Sequence, residues 1–207
     1  MSLYGRVFAA LYDRVMAEVE DNGLRDKRAA LLAGATGAVL EVGAGTGANA
    51  ALYPAGLERL VLAEPEAPMA TRLRDRVASE RPDAEVLQAP AEALPFADAT
   101  FDTVVATLVL CTVGDPARAT AELRRVLKPG GRLLLIEHMR SGDPGSARWQ
   151  DRLEPVWRRV GHGCVCNRDT RAQLAAAGFD TSALVEDELP KAAPIIRPLI
   201  RGAAPVA

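Results

Sequence analysis

Short, unbroken aliphatic runs recur along the chain, and most are followed by a stretch whose apolar residues return every three or four positions. Runs at 38–42, 60–63, 84–87, 101–105 and 133–136 have the length and β-branched content of buried strands. Between them, 68–78 and 117–127 carry helical spacing, the second stopped by Pro129-Gly130-Gly131. Ahead of the first run, Val7, Leu11, Val15 and Val19 with Phe8, Tyr12 and Met16 predict an amphipathic helix over 4–20. A second helix is predicted over 23–33, stopped by Gly34, and a short one between Gly47 and Tyr53-Pro54. Residues 141–146 (Ser-Gly-Asp-Pro-Gly-Ser) read as a loop or hinge, followed by helices at 147–160 and 170–177 and final strands near 179–187 and 197–206. Strands alternating with helices predict a doubly wound, mostly parallel α/β sheet of seven strands, one of the last pair antiparallel. One domain over residues 1–207 is expected, with 1–34 as N-terminal lid helices and 141–166 as an insertion on the substrate side.

Composition narrows the function. With 25 basic and 27 acidic residues there is no basic excess to suggest a nucleic-acid partner. No apolar run approaches a membrane span, and the first residues do not resemble a signal or transit peptide, so a cytoplasmic protein with no transmembrane segment is expected. The odd count of three cysteines, Cys111, Cys164 and Cys166, fits a reducing compartment. Cys164-x-Cys166 lacks the two-residue spacer of common zinc and redox motifs and has no second pair, so no metal is expected.

The chemistry concentrates where the first strand breaks into glycines, at Val39-Leu40-Glu41-Val42-Gly43-Ala44-Gly45-Thr46-Gly47. Glycines at the carboxyl end of a first strand let the backbone turn sharply beneath a nucleotide-type ligand. Gly43-x-Gly45-x-x-Ala48 also satisfies a relaxed dinucleotide fingerprint, and a plain Gly-rich linker is a third reading. Glu41 argues against a pyrophosphate, because a carboxylate there suits a cationic amine instead.

From this point the chain resembles the class I S-adenosylmethionine-dependent methyltransferases, over about residues 30–140. The resemblance implies a Rossmann-like fold with S-adenosyl-L-methionine as cofactor and S-adenosyl-L-homocysteine as product. Glu41, Gly43, Ala44, Gly45 and Gly47 match the family's first motif, whose backbone holds the amino-acid end of the cofactor. Glu64, 17 residues after Gly47, matches the acid that takes the ribose hydroxyls, and Pro65 and Met69 match the adenine-side wall. Glu92-Ala93-Leu94-Pro95-Phe96 resembles the third motif; Pro90 stands where many relatives have aspartate, which shifts adenine recognition to the Ala91 and Glu92 backbone. Leu127-Lys128-Pro129-Gly130-Gly131 resembles the turn before strand five.

A closer resemblance, to the thiol S-methyltransferases of the methyltransferase-like seven group, rests on Thr107-Leu108-Val109-Leu110-Cys111, Glu137-His138, Glu154-Pro155-Val156-Trp157, Gly163-Cys164 and Arg168. Asn49, Tyr53 and Pro54 after the glycines, Arg197-Pro198 and Gly202 also match. It implies cofactor contacts at Asn49, Thr107, Leu108 and Val109, and a small-molecule thiol as acceptor. Those relatives carry an N-terminal membrane anchor, and nothing in the present sequence matches it.

Methyl transfer from a sulfonium needs an aligned nucleophile and a dry site more than elaborate machinery. His138, at the end of strand five, is a candidate proton acceptor facing the crevice, or a histidine hydrogen-bonded to backbone at a strand end. Tyr12 and Asp13 are candidate catalytic residues on a lid, with core packing as the alternative for Tyr12. His162 reads as surface, Cys111 as inert core, and Cys164 and Cys166 as either structural or touching a sulfur substrate. Trp149 and Trp157, eight residues apart, fall on roughly similar helix faces, as packing anchors or apolar walls. The competing functions are a C-, N- or O-methyltransferase acting on a lipid, quinone or natural product, an inactive methyltransferase-like binding module, and a dinucleotide oxidoreductase.

Overall fold

A computed structural model describes residues 12–14 and 16–207. Seven strands form one sheet in the order β3-β2-β1-β4-β5-β7-β6. They are β1 (Ala38–Val42), β2 (Arg59–Ala63), β3 (Glu85–Leu87), β4 (Phe101–Thr107), β5 (Leu127–His138), β6 (Val185–Glu188) and β7 (Pro198–Pro205). The first five pair in parallel, while β7 runs antiparallel to both β5 and β6. The chain therefore reverses strand order between β1 and β4, and the crevice outside their carboxyl ends is where such sheets bind ligands.

The helices are α1 (Arg25–Leu32), α2 (Ala67–Glu80), α3 (Pro116–Val126), α4 (Pro144–Val160) and α5 (Thr170–Ala176). β1, β4 and β5 are buried on both faces, with Leu40, Val104, Leu133 and Leu135 fully enclosed. One core forms under α3 and α5, around Phe101, Leu123 and Leu174; another forms under α1 and α2, around Leu32, Leu62 and Leu73.

The expected helix over 4–20 lies partly outside the described residues; 12–14 and 16–19 are helical. The one expected over 23–33 starts at Arg25, because Asn22 and Gly23 (φ 123°) break the helical path and separate α1 from the turn before it. No α-helix follows the glycine loop. That stretch is a series of hydrogen-bonded turns and a single 3-10 turn at Ala50–Leu52. The expected hinge at 141–146 is also shorter than its composition suggests. Asp143 caps α4 by accepting from the Ser146 N–H, and Pro144 occupies the first helical turn, where its missing N–H costs nothing. β5 begins earlier than the aliphatic run: Leu127 already pairs with Phe101, and the Pro-Gly-Gly segment is accommodated as an irregularity before Arg132 pairs with Thr103. Among the described residues, no helix is long and apolar enough to cross a membrane.

Candidate functional site

At the end of β1 the backbone turns through Gly43 (φ 60°) and Gly45 (φ 59°), a left-handed conformation that costs other residues energy. A Cβ on Gly43 would lie 2.1 Å from Val109 Cγ2, so the turn after β4 sits directly against the loop. A Cβ on Gly45 would meet nothing within 4 Å, so the loop faces open space there.

Glu64 follows β2 and bends back over this loop. One carboxylate oxygen accepts from the Gly45 N–H (2.9 Å), the other from the Glu66 N–H (2.8 Å). The side chain is nearly buried, and desolvation raises its pKa despite those two hydrogen bonds. Each oxygen keeps a lone pair for a hydroxyl donor.

The turn after β4 is held just as firmly. Leu108 adopts φ 59°, rare for a branched residue, and its N–H donates to the Ile136 carbonyl (2.8 Å). The next two N–H groups, of Val109 and Leu110, donate to one oxygen of Glu137 (2.9 and 2.8 Å). Arg168 caps the same turn by donating to the carbonyls of Leu110 and Val113. Burial pushes the Glu137 carboxyl up to about 7 against the pull of these N–H groups.

Beneath the loop lies a buried polar network. Glu41 accepts from Asn49 Nδ2 (2.8 Å) and from the Tyr53 hydroxyl (2.6 Å). Asn49 also donates to Thr107 Oγ1 (3.0 Å), and Arg28 donates to Asn49 Oδ1 (3.1 Å), Thr107 Oγ1 (2.8 Å) and Glu20 Oε1 (3.0 Å). Both Glu41 oxygens are thus engaged by side chains of the scaffold. Glu41, 2% exposed, has the internal donors that a buried carboxylate needs, and it ties Asn49 and Tyr53 beneath the loop. Arg28 was not legible as a site residue: an arginine on a short polar helix reads as surface, yet it is 4% exposed.

The two residues expected on the lid both make contacts within the fold. Asp13 accepts from Thr46 Oγ1 (2.5 Å) in the glycine loop and from Arg76 (3.1 Å) on α2. Tyr12 lies among Arg28, Glu20 and Cys111, and desolvation raises its pKa. Met69 is buried on the first turn of α2 and Ala91 is buried, whereas Pro65 is exposed. Glu92 accepts from the Gly114 N–H (2.9 Å), fixing the loop before α3.

His138, the candidate proton acceptor at the end of β5, is buried. It is 6% exposed, and burial pushes its pKa down to about 4 against hydrogen bonding to the backbone of Ile196 and Pro198. The imidazole is neutral at ordinary pH and a weak proton acceptor. Cys111, Cys164 and Cys166 instead form one buried cluster with Trp157, Ile195 and Ile196. Trp149 and Trp157 do not share a setting, since Trp149 is 57% exposed while Trp157 covers the cysteines. His162, at φ 51°, comes within 3.8 Å of Glu66, so the segment after α4 reaches across to the residues following β2. A groove of about 1150 Å³ runs between α3 and α5 past Lys128 and Ala207, away from the glycine loop.

A family profile described as a methyltransferase domain matches residues 40–135. The human thiol S-methyltransferase TMT1B is 40% identical over 154 residues, covering 72% of this chain and 63% of the relative. The human thiol S-methyltransferase TMT1A is 34% identical over 170 residues, covering 80% of this chain and 69% of the relative. The chain thus spans roughly two thirds of the length of these relatives. A solved structure from Thermotoga maritima, described as an S-adenosylmethionine-dependent methyltransferase and possible histamine N-methyltransferase, superposes with a TM-score of 0.70. It is 24% identical, covers 98% of each chain and supports the fold alone. With the glycine loop, the acid after β2 and the reversed strand order all in place, the chain belongs to the class I S-adenosylmethionine-dependent methyltransferase family, in the group that includes the thiol S-methyltransferases.

Proposed function

We propose that the protein transfers a methyl group from S-adenosyl-L-methionine to a small-molecule thiol, giving a thioether and S-adenosyl-L-homocysteine. The observation that carries the cofactor half is the pairing of Glu64 with the open face of Gly45. A buried carboxylate with free lone pairs stands beside Gly45, the one glycine of this loop whose missing side chain leaves empty space. That pair suits a ribose diol and an adjoining backbone-bound amino-acid end. When bound, the cofactor supplies an electrophilic methyl on a sulfonium.

The chain's residues hold and orient that group. Glu64 accepts from the ribose hydroxyls, and Gly43, Ala44, Gly45 and Gly47 give the backbone close approach. Pro65 and Met69 line the adenine side with the Ala91 and Glu92 backbone, and the turn at Thr107, Leu108 and Val109 forms the opposite wall. Arg28, Glu41, Asn49 and Tyr53 keep the loop and the end of β4 in register, and Tyr12 and Asp13 close over the loop from the lid. Thiol acceptors need little further catalytic apparatus, since a thiolate is a strong nucleophile once ionised. Support for a thiol comes from the two human relatives, which act on thiols by name and are 40% and 34% identical.

The test is release of S-adenosyl-L-homocysteine across a panel of thiols, phenols and amines. Turnover confined to thiols, rising with pH toward the acceptor's own thiol pKa, is expected. Turnover of phenols or amines with every thiol silent would overturn the acceptor, and the absence of any S-adenosyl-L-methionine binding heat would overturn the enzyme.

A further inference from the structure

Three side chains from distant parts of the sequence meet at the carboxyl ends of β4 and β5. Cys111 follows β4, His138 ends β5, and Cys164 lies in the segment after α4. Their ligand atoms, two sulfurs and a ring nitrogen, all lie within 4.8 Å of one another. All three are buried, at 2%, 6% and 6% exposure. Nδ1 of His138 has no hydrogen-bond partner among the described residues, which is costly for a buried polar atom.

We infer that Cys111, His138 and Cys164 form a binding site for a zinc-class divalent cation. Two thiolates and a neutral imidazole are borderline-soft donors that suit zinc and disfavour calcium and magnesium, which take oxygen ligands. Zinc bonds of about 2.3 Å to sulfur and 2.0–2.1 Å to nitrogen place tetrahedral ligand atoms roughly 3.4–3.8 Å apart. The cluster therefore needs to contract by at most about 1.0–1.4 Å to close on an ion.

The surrounding backbone is already built to hold these segments together. The Val165 N–H donates to the Cys111 carbonyl (2.8 Å), and Arg140 N–H donates to the Arg168 carbonyl (2.8 Å). The buried Gln150 amide donates to the carbonyls of Met139 (3.1 Å), Cys166 (3.1 Å) and Ile195 (3.0 Å). Trp157, Ile195 and Ile196 cover the cysteines and keep water from the donors. Three protein ligands leave one tetrahedral position for water or an outside ligand. The short Cys164-x-Cys166 spacing, which argues against a zinc motif within one segment, has no bearing on ligands drawn from three.

The experiment is cobalt(II) and zinc titration of the reduced full chain, freed of any polyhistidine tag. One equivalent of cobalt should bind with the intense visible bands of a tetrahedral site and a thiolate-to-cobalt charge-transfer band, and one equivalent of zinc should displace it. Zinc should also raise the melting temperature, because it binds the folded state. Cys111→Ser, Cys164→Ser and His138→Gln should each lower zinc affinity at least tenfold, with the two serine variants weakening the charge-transfer band. Circular dichroism separates loss of a ligand from loss of fold, and the wild-type titration decides the matter if a variant does not fold. A reduced wild-type protein that takes up no stoichiometric metal overturns the site. So do folded variants that bind as tightly as wild type, or a Cys111–Cys164 disulfide forming in air in a chain that takes up no metal when reduced.

Discussion

At the scale of single residues, neighbouring glycines have opposite jobs, and substitution should separate them. Gly43 has no room, because its missing Cβ is replaced by Val109 at 2.1 Å, whereas Gly45 has room and nothing in it. Gly43→Ala should lower the melting temperature by forcing the turn after β4 off the loop. Gly45→Arg should cost only about 1–2 kcal/mol of backbone strain yet abolish cofactor binding, because its side chain enters the space a ligand needs. Glu64→Ala should weaken cofactor binding by about 1.5–3 kcal/mol, roughly tenfold to a hundredfold by calorimetry. Unchanged affinity in that variant would mean the ribose lies elsewhere. The glycines and Glu64 were legible in the sequence because their chemistry depends on local spacing along two strand ends. Arg28, the partners of Glu41 and the meeting of Cys111 with His138 were not, because each depends on which residues the finished sheet brings together.

At the scale of elements, the carboxylate of Asp187 joins three pieces of structure. It accepts from Lys27 of α1 (2.6 Å) and from Arg201 of β7, while its own strand, β6, forms the sheet edge. Burial works to raise its pKa, but Lys27, the Glu188 N–H and Arg201 hold it down at about 2. Because the folded value lies below the unfolded one of about 3.9, the stabilisation is full above roughly pH 5 and fades as pH falls toward 2. Asp187→Asn should therefore cost about 1–2 kcal/mol at pH 7 and almost nothing at pH 2, read from urea midpoints at the two values. A cost that is constant with pH would assign the loss to packing. Such ties are invisible in sequence, where Asp187 is one acid in an acidic run. The strands themselves were readable, since a two-sided sheet demands runs such as Leu133-Leu134-Leu135-Ile136. The start of α4 was missed: residues 141–146 read as a loop because Gly142 and Gly145 mask the Asp143-Pro144 cap.

At the scale of the whole molecule, the proposed cofactor crevice draws on parts that have little else in common. The glycine loop comes from β1, the acid from β2, a wall from β4, and the cover from the residues around Asp13. A ligand that touches all four stabilises the folded state by mass action, by about 2.7 kcal/mol at a hundredfold excess over its dissociation constant. For a chain of 207 residues that corresponds to about 5–10 °C in melting temperature. The Asp13 contacts to Thr46 and Arg76 divide this effect. If the lid closes over bound cofactor, Asp13→Ala should leave the ligand-free melting temperature nearly unchanged, because both contacts are partly exposed and individually weak. The same substitution should shrink the ligand-induced rise, since the cover no longer latches to the loop, and should raise the cofactor's dissociation rate in a stopped-flow displacement experiment. An equal drop with and without cofactor would make Asp13 a plain structural tie and leave the glycine loop closed by something else.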